Sequence, residues 1–336
     1  MSEKEISLAF QTDKSAAEYI SLAKLVNQYP FDGVSVYCDA PFHPSFGPLL
    51  LMAPHLERAR LGPAAVSPFR IHPIDIAAET ALLADVASGG VYLGLARGAW
   101  LSEHGIEEPK KPILGIRESV EIVRNLLDGK SGGYAGEIFS IQEHVRAPYP
   151  LPSRPVPILI GTWGKKLSKL AGEIADEVKI WGTANPQMAV YLKKFIQDGE
   201  QLSGRSPGKV KIVVGAVTVV DEDREKARTI ARREVAMYLP VVASLDPTVE
   251  VEPEFLRRIQ ILVQEGKYAE AGNLIPDELL DTFAFSGSPD DILRQILGLF
   301  EAGVSRVELG TPHGVRPEDG IKLIGRYVLP AVARIN

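Results

Sequence analysis

Two short segments carry residue types at a spacing suited to gripping an anion. Leu93-Gly94-Leu95-Ala96-Arg97-Gly98 sets an arginine beside a glycine at the end of an apolar run. A guanidinium binds phosphate through paired hydrogen bonds, and glycine lets backbone N–H groups approach. The second segment is Ile158-Leu159-Ile160-Gly161-Thr162-Trp163-Gly164-Lys165-Lys166, an apolar run, a glycine-bracketed loop and a helix start. N–H groups at that helix's N-terminus, with the Thr162 hydroxyl, suit an anion. Lys165 and Lys166 oppose the helix dipole there, which favours a bound anion. A carboxylate, Asp39, follows a third apolar run in Val36-Tyr37-Cys38-Asp39-Ala40-Pro41, placed either for acid–base or orienting work or to begin a turn. Trp100 and Trp163 offer flat walls for a planar ligand, or close a rim.

Other chemistries lack their residues. There is no G-x-G-x-x-G after a strand, no P-loop, no H-E-x-x-H and no G-x-S-x-G. The six histidines (43, 55, 72, 104, 144 and 313) lack metal-ligand spacing, so no metal site is expected. Cys38 is the single cysteine, which excludes an intramolecular disulfide. The net charge of −6 is spread along the chain without a basic stripe, so neither nucleic acid nor a membrane surface is an expected partner. No apolar run reaches about 18 residues, and Met1-Ser2-Glu3-Lys4-Glu5 is polar rather than leader-like. A cytoplasmic location is the expectation.

The elements that must position these residues alternate along the whole chain. Strands are expected at Ile6–Gln11, Gly33–Cys38, Arg60–Val66, Val91–Leu95, Val156–Ile160, Glu177–Trp181, Val210–Val220 and Arg306–Leu309, with amphipathic helices between them. Ser15-Ala16-Ala17-Glu18 is a capping box, Asp221-Glu222-Asp223 starts another helix, and Ser288-Pro289-Asp290-Asp291 joins an N-cap to proline and acids in the first turn. After the first, the strands read as nearly continuous apolar runs, as in sheets covered on both faces. Eight strand–helix alternations imply an α/β fold, a (β/α)8 TIM barrel forming one domain over residues 1–336. Gly132–Ile141 reads as a β-hairpin excursion. Glu222–Ile296 reads as a helical insertion between strands 7 and 8, long enough to lid the mouth.

At these residues the sequence resembles the bacterial-luciferase-like superfamily of flavin- and deazaflavin-dependent oxidoreductases. Gly62-Pro63-Ala64-Ala65-Val66-Ser67-Pro68 with His72-Pro73 resembles the third-strand motif of the methylenetetrahydromethanopterin reductase type. Gly89-Gly90-Val91-Tyr92-Leu93-Gly94-Leu95-Ala96-Arg97-Gly98 resembles the fourth-strand motif, where Arg97 matches a phosphate-binding arginine. Gly161-Thr162-Trp163-Gly164 resembles the fifth-strand phosphate loop. The resemblance implies a coenzyme F420-dependent oxidoreductase, with an FMN-dependent monooxygenase as the alternative, and a homodimer acting on a small molecule. Ala64, Ala65, Val66, Ala96, Arg97, Gly98, Gly161, Thr162, Trp163 and Gly164 are the cofactor residues it implies; Asp39, from its place after the second strand, is expected to join them and to be the catalytic candidate. The resemblance further implies a non-prolyl cis peptide near Ala64–Ala65. Ala99 stands where the reductase motif has aspartate, and Leu8-Ala9-Phe10-Gln11 lacks an obvious first-strand glutamate. These departures leave the cofactor site intact and the substrate open, with a methylene-tetrahydropterin or folate as the expected class.

Overall fold

The computed structural model describes residues 4–130 and 133–335, so Met1–Glu3 of the polar N-terminus and Gly132 of the expected hairpin lie outside the described residues. Eleven strands are present among them: β1 (Glu5–Phe10), β2 (Gly33–Val36), β3 (Arg60–Pro63), β4 (Leu93–Leu95), β5 (Tyr134–Ala135), β6 (Ser140–Ile141), β7 (Ile158–Gly161), β8 (Glu177–Trp181), β9 (Lys211–Val220), β10 (Ala284–Gly287) and β11 (Arg306–Gly314). The parallel sheet runs β3-β2-β1-β11-β9-β8-β7-β4. Bridges Leu61–Val91 and Val66–Leu95 join β3 to β4 and close the eight-stranded barrel. The antiparallel pair β5–β6 is the expected hairpin.

Helices cover the outside: α1 (Ala16–Val26), α2 (Phe46–Met52), α3 (Pro73–Val86), α4 (Pro112–Leu127), α5 (Lys165–Ile174) and α6 (Pro186–Leu202). Ser15 and Glu18 form the capping box of α1. Outward strand residues such as Leu8, Val34, Leu61, Leu95, Ile160, Val178, Val214 and Val307 pack against these helices in one core.

Between β9 and β11 the chain forms α7 (Arg224–Ala236), α8 (Leu239–Leu245), α9 (Pro253–Gln264), α10 (Tyr268–Asn273) and α11 (Asp277–Phe283), then β10, then α12 (Pro289–Glu301). Asp223, rather than Asp221, caps α7, and Ser288 caps α12 with a capping box to Asp291. The insertion is therefore not helical throughout. Its end folds back as β10 because β9 outruns its neighbour. Lys211–Gly215 pair with β8, which stops at Trp181, and Val217–Val220 pair with Ala284–Gly287 instead. An unpaired sheet edge is thereby covered. Apolar residues of the insertion, including Ala231, Val235, Leu239, Ile259 and Phe283, form a second core under it.

The inside of the barrel overturns the reading of the strands as continuous apolar runs. Many of their inward positions are charged, beside a small apolar cluster of Tyr92, Leu159 and Val213: Glu5, Arg60, Glu177, Lys211 and Arg306 form a lower tier. Arg60 bridges Glu5 and Glu177 at 2.8 and 2.9 Å, Arg306 reaches Glu177 at 2.6 Å, and Lys211 reaches Glu5 at 2.6 Å. Above them Lys179 pairs with Glu308, which also accepts from the Ser35 hydroxyl. Since Ser35 spends its hydrogen on the carboxylate, Tyr92 donates to Ser35. Barrel interiors are filled in such tiers of side chains. Charged residues can fill them only because each has a partner.

Candidate active site

The mouth lies at the carboxyl ends of the strands, and local chain geometry builds it from two sides. On one side the β3 end bulges inward: the Ala64–Ala65 peptide is cis, as the resemblance implies. Gly94 allows this, because a Cβ there would stand 2.2 Å from the Pro63 carbonyl oxygen. The β7 end lies beside it. A Cβ on Gly161 would lie 3.4 Å from the Ala96 Cβ and 3.9 Å from the Ala65 Cβ. Three sequence-distant residues thus form one small-residue floor, and Ala64, Ala65, Ala96 and Gly161 all keep partial exposure. Val66 is fully buried. Its backbone bonds Gly94 and Ala96, so it fixes the bulge from behind.

The anion-grip residues flank this floor. Gly98 has φ +96°, a conformation glycine adopts without strain. The adjacent Arg97 carbonyl accepts from the Ser67 hydroxyl at 2.6 Å. The Arg97 side chain is half exposed, its guanidinium 3.6 Å from Glu108. Such an exposed pair is weak and easily exchanged for a ligand. Thr162 Oγ1 accepts from the Gly164 N–H at 2.9 Å. Gly164 begins α5 with no side-chain cap and no acid in the first turn, so the helix's leading N–H groups are uncapped. Lys165 turns toward Tyr191 and Phe195, 5.5 and 5.8 Å from their ring centroids, rather than lying free over the loop. Trp163 donates its indole N–H to the Trp181 carbonyl at 3.0 Å, which ties this loop to β8.

The opposite side is filled. Asp39 is partly buried; Gln11 Nε2 approaches its carboxylate at 3.5 Å. Burial raises its carboxyl above the usual carboxylate value, while the Gln11 hydrogen bond and the charges of Lys179 and Arg70 pull it back. Arg70 is held near by a 2.8 Å bond to the Cys38 carbonyl. Beneath Asp39 lie Trp181, which opens the strand-capping segment Trp181-Gly182-Thr183-Ala184-Asn185-Pro186 legible in the sequence, and Tyr37, Lys179 and Glu308, which sequence reasoning did not single out. Burial holds the Lys179 ammonium below its usual value, with the Glu308 charge opposing. The signal was present as the period-two patterns Glu177-Val178-Lys179-Ile180-Trp181 and Arg306-Val307-Glu308-Leu309-Gly310. The insertion reaches this side through Tyr238, whose ring lies 5.4 Å from that of Trp181. Trp100 is exposed at the rim. His313 lies buried against Phe10 on the outward side of β1, away from the mouth.

These features define an α/β barrel protein with a small-residue floor at the carboxyl ends of its strands, flanked by the exposed Arg97 and the uncapped start of α5. The chain belongs to the luciferase-like monooxygenase family, whose model matches residues 4–306. It is 32% identical over 291 residues to the 5,10-methylenetetrahydromethanopterin reductase of Archaeoglobus fulgidus, covering 84% of this chain and 86% of the relative. The structure of the coenzyme F420-dependent tetrahydromethanopterin reductase from Methanopyrus kandleri superposes with a TM-score of 0.90 at 24% identity, covering 98% of this chain and 99% of that one. An F420-dependent secondary alcohol dehydrogenase superposes with a TM-score of 0.79 at 19% identity, covering 98% and 99%. Those two structural likenesses speak for the fold.

Proposed function

We propose that this chain is a coenzyme F420-dependent oxidoreductase, moving hydride between the deazaflavin and a small organic substrate of the methylene-tetrahydropterin or folate class. The observation that carries the reading is the floor of Ala65, Ala96 and Gly161 beside Arg97-Gly98 and the uncapped start of α5. A planar ring fits a floor without projecting side chains, and a phosphate fits the donors at its edge. An F420-dependent glucose-6-phosphate dehydrogenase of Nakamurella multipartita, 26% identical over 280 residues, supports the same cofactor. When bound, the deazaflavin supplies a carbon that gives or accepts hydride.

In this reading Ala64, Ala65 and Ala96 support the ring, backed by Val66. Arg97, Gly98, Gly161, Thr162, Trp163 and Gly164 hold the phosphate end. Asp39 is the candidate catalytic carboxyl: it stands at the mouth, and burial raises it above the usual carboxylate value, which suits orienting or polarising the substrate. Hydride transfer requires donor and acceptor carbons about 3–3.5 Å apart, a spacing that flat walls and an overlying insertion help to maintain. Exposed Ala99 replaces the reductase motif's aspartate, so the pterin contact at that point differs here. We read the chain as one barrel domain with its insertion, working in the cytoplasm. Outward-facing Leu51, Leu82 and Val86 on α2 and α3 support a homodimer through that face.

The test is a side-by-side titration of the purified protein with F420, FMN and NAD(P)H. The proposal expects F420 to bind most tightly. FMN binding more tightly than F420 would move the assignment to the monooxygenase alternative.

A further inference from the structure

One buried polar group at the mouth has no part in the roles above. Tyr37 stands at the end of β2, 5% exposed, with its ring edge-on to Trp181 at 5.3 Å between centroids. The Trp181 indole N–H donates to the Tyr37 oxygen at 2.8 Å. A Cβ on Gly310 would stand 2.6 Å from that oxygen, so glycine there clears the hydroxyl's position. A phenol has one hydrogen of its own to give. Among the described residues none accepts it, since the only hydrogen bond at this oxygen is the one received from Trp181. A buried donor without an acceptor is costly to keep, and in a binding site it is completed by the ligand.

The charge below this phenol is asymmetric. Lys179 Nζ lies 5.4 Å from the Tyr37 ring centroid. In the two tiers beneath, the four cations Arg60, Lys179, Lys211 and Arg306 face the three carboxylates Glu5, Glu177 and Glu308. The shaft thus carries one positive charge in excess. Asp39 above and Glu308 below are the carboxylates that act on the phenol. A fixed donor over a cationic shaft favours a ligand atom that gains electron density.

We propose that Tyr37 is a positioning residue whose O–H donates to the heteroatom edge of the bound deazaflavin ring and favours the reduced ring over the oxidised one. The inference rests on the F420 reading. Hydride brings an electron pair into the ring, and the ring's carbonyl oxygens and nitrogens take up that density while Tyr37 keeps its proton.

Tyr37→Phe keeps the ring contact with Trp181 and removes the donor. Wild type and variant are titrated anaerobically with F420 and separately with F420H2, and their thermal melts are compared. Loss of a hydrogen bond to a charged acceptor predicts that the Kd for F420H2 rises about tenfold or more, with that for F420 rising less than about threefold. General loosening of the mouth weakens both forms alike, so the ratio of the two Kd values isolates the role. Trp181→Phe, which keeps the phenol and frees its orientation, serves if Tyr37→Phe melts early, and is expected to move the same ratio less far. A ratio unchanged in both variants overturns the proposal. A wild type that binds neither form overturns the F420 reading itself and with it this inference.

Discussion

The two sides of the barrel mouth are built by opposite rules. Where β3, β4 and β7 end, side chains are small: a Cβ added at Gly161 would come within van der Waals contact of the Ala65 and Ala96 methyls, and all three residues stay partly open. Where β2, β8 and β11 end, Tyr37, Trp181, Lys179 and Glu308 fill the interior and bond to one another. Emptiness on the first side makes room for a flat ligand. The second side cannot receive one without losing packing, but it can set the electrostatics next to it. Substitutions on the filled side should therefore act first on stability, and those on the open side first on binding.

The largest effect separates these sides most sharply. Lys179→Met leaves Glu308 buried without its cation, which should cost about 3–5 kcal/mol of unfolding free energy in denaturant. The double variant Lys179→Met/Glu308→Gln should recover most of that loss. If the double variant is as unstable as the single, the pair is not the source of the cost.

Asp39 lies on the boundary between the sides. Asp39→Asn should lower turnover by about 10²–10⁴ if the carboxyl acts as acid or base, with F420 affinity largely kept. The sign of its pH dependence follows from burial. Its carboxyl is raised, so the protonated form persists above the ordinary carboxylate range. The folded chain then binds this proton more tightly than the unfolded chain. Its contribution to stability is fullest below the unfolded value and declines as pH rises through the folded one. Turnover that uses the proton should fall along the same limb, and a pH–rate profile of Asp39→Asn should lack it. Wild-type turnover in that variant would leave Asp39 as a turn residue.

On the open side, Arg97→Ala should weaken cofactor binding by about 1.5–3 kcal/mol, the range for a charge-assisted bond. Its pair with Glu108 is exposed, so the melting temperature should hardly move. An unchanged F420 affinity would remove Arg97 from the grip. Gly161→Leu projects a side chain over the floor. At least about a tenfold loss of F420 affinity is expected, on the order of the 1–3 kcal/mol that overpacking costs a filled site. Calorimetry showing equal binding would mean that the ring lies elsewhere.

Much of this frame was readable from the chain, and what escaped did so for identifiable reasons. Strand ends and capping boxes are local in sequence, so Ser15 and Ser288 could be placed from spacing alone. The proximity of Ala65, Ala96 and Gly161 depends on β4 pairing with both β3 and β7, which no local pattern states. The interior charge tiers were missed because covered parallel strands ordinarily read as apolar, and a closed barrel has an inside where paired ions fit. β10 was hidden because Ala284-Phe285-Ser286-Gly287 is four residues long and follows a helix directly; only the excess length of β9 calls for it.

The central claim is that this mouth runs deazaflavin hydride chemistry, and anaerobic turnover tests it most directly. F420H2 is mixed with the protein and a methylene-tetrahydropterin or methylene-tetrahydrofolate, and reappearance of oxidised F420 is followed with the methyl product. The account predicts one F420 formed for each methylene group reduced, at a rate that falls in Asp39→Asn and Arg97→Ala. No oxidation of F420H2 by any methylene-pterin, with oxygen-dependent turnover in the presence of FMN, would contradict it.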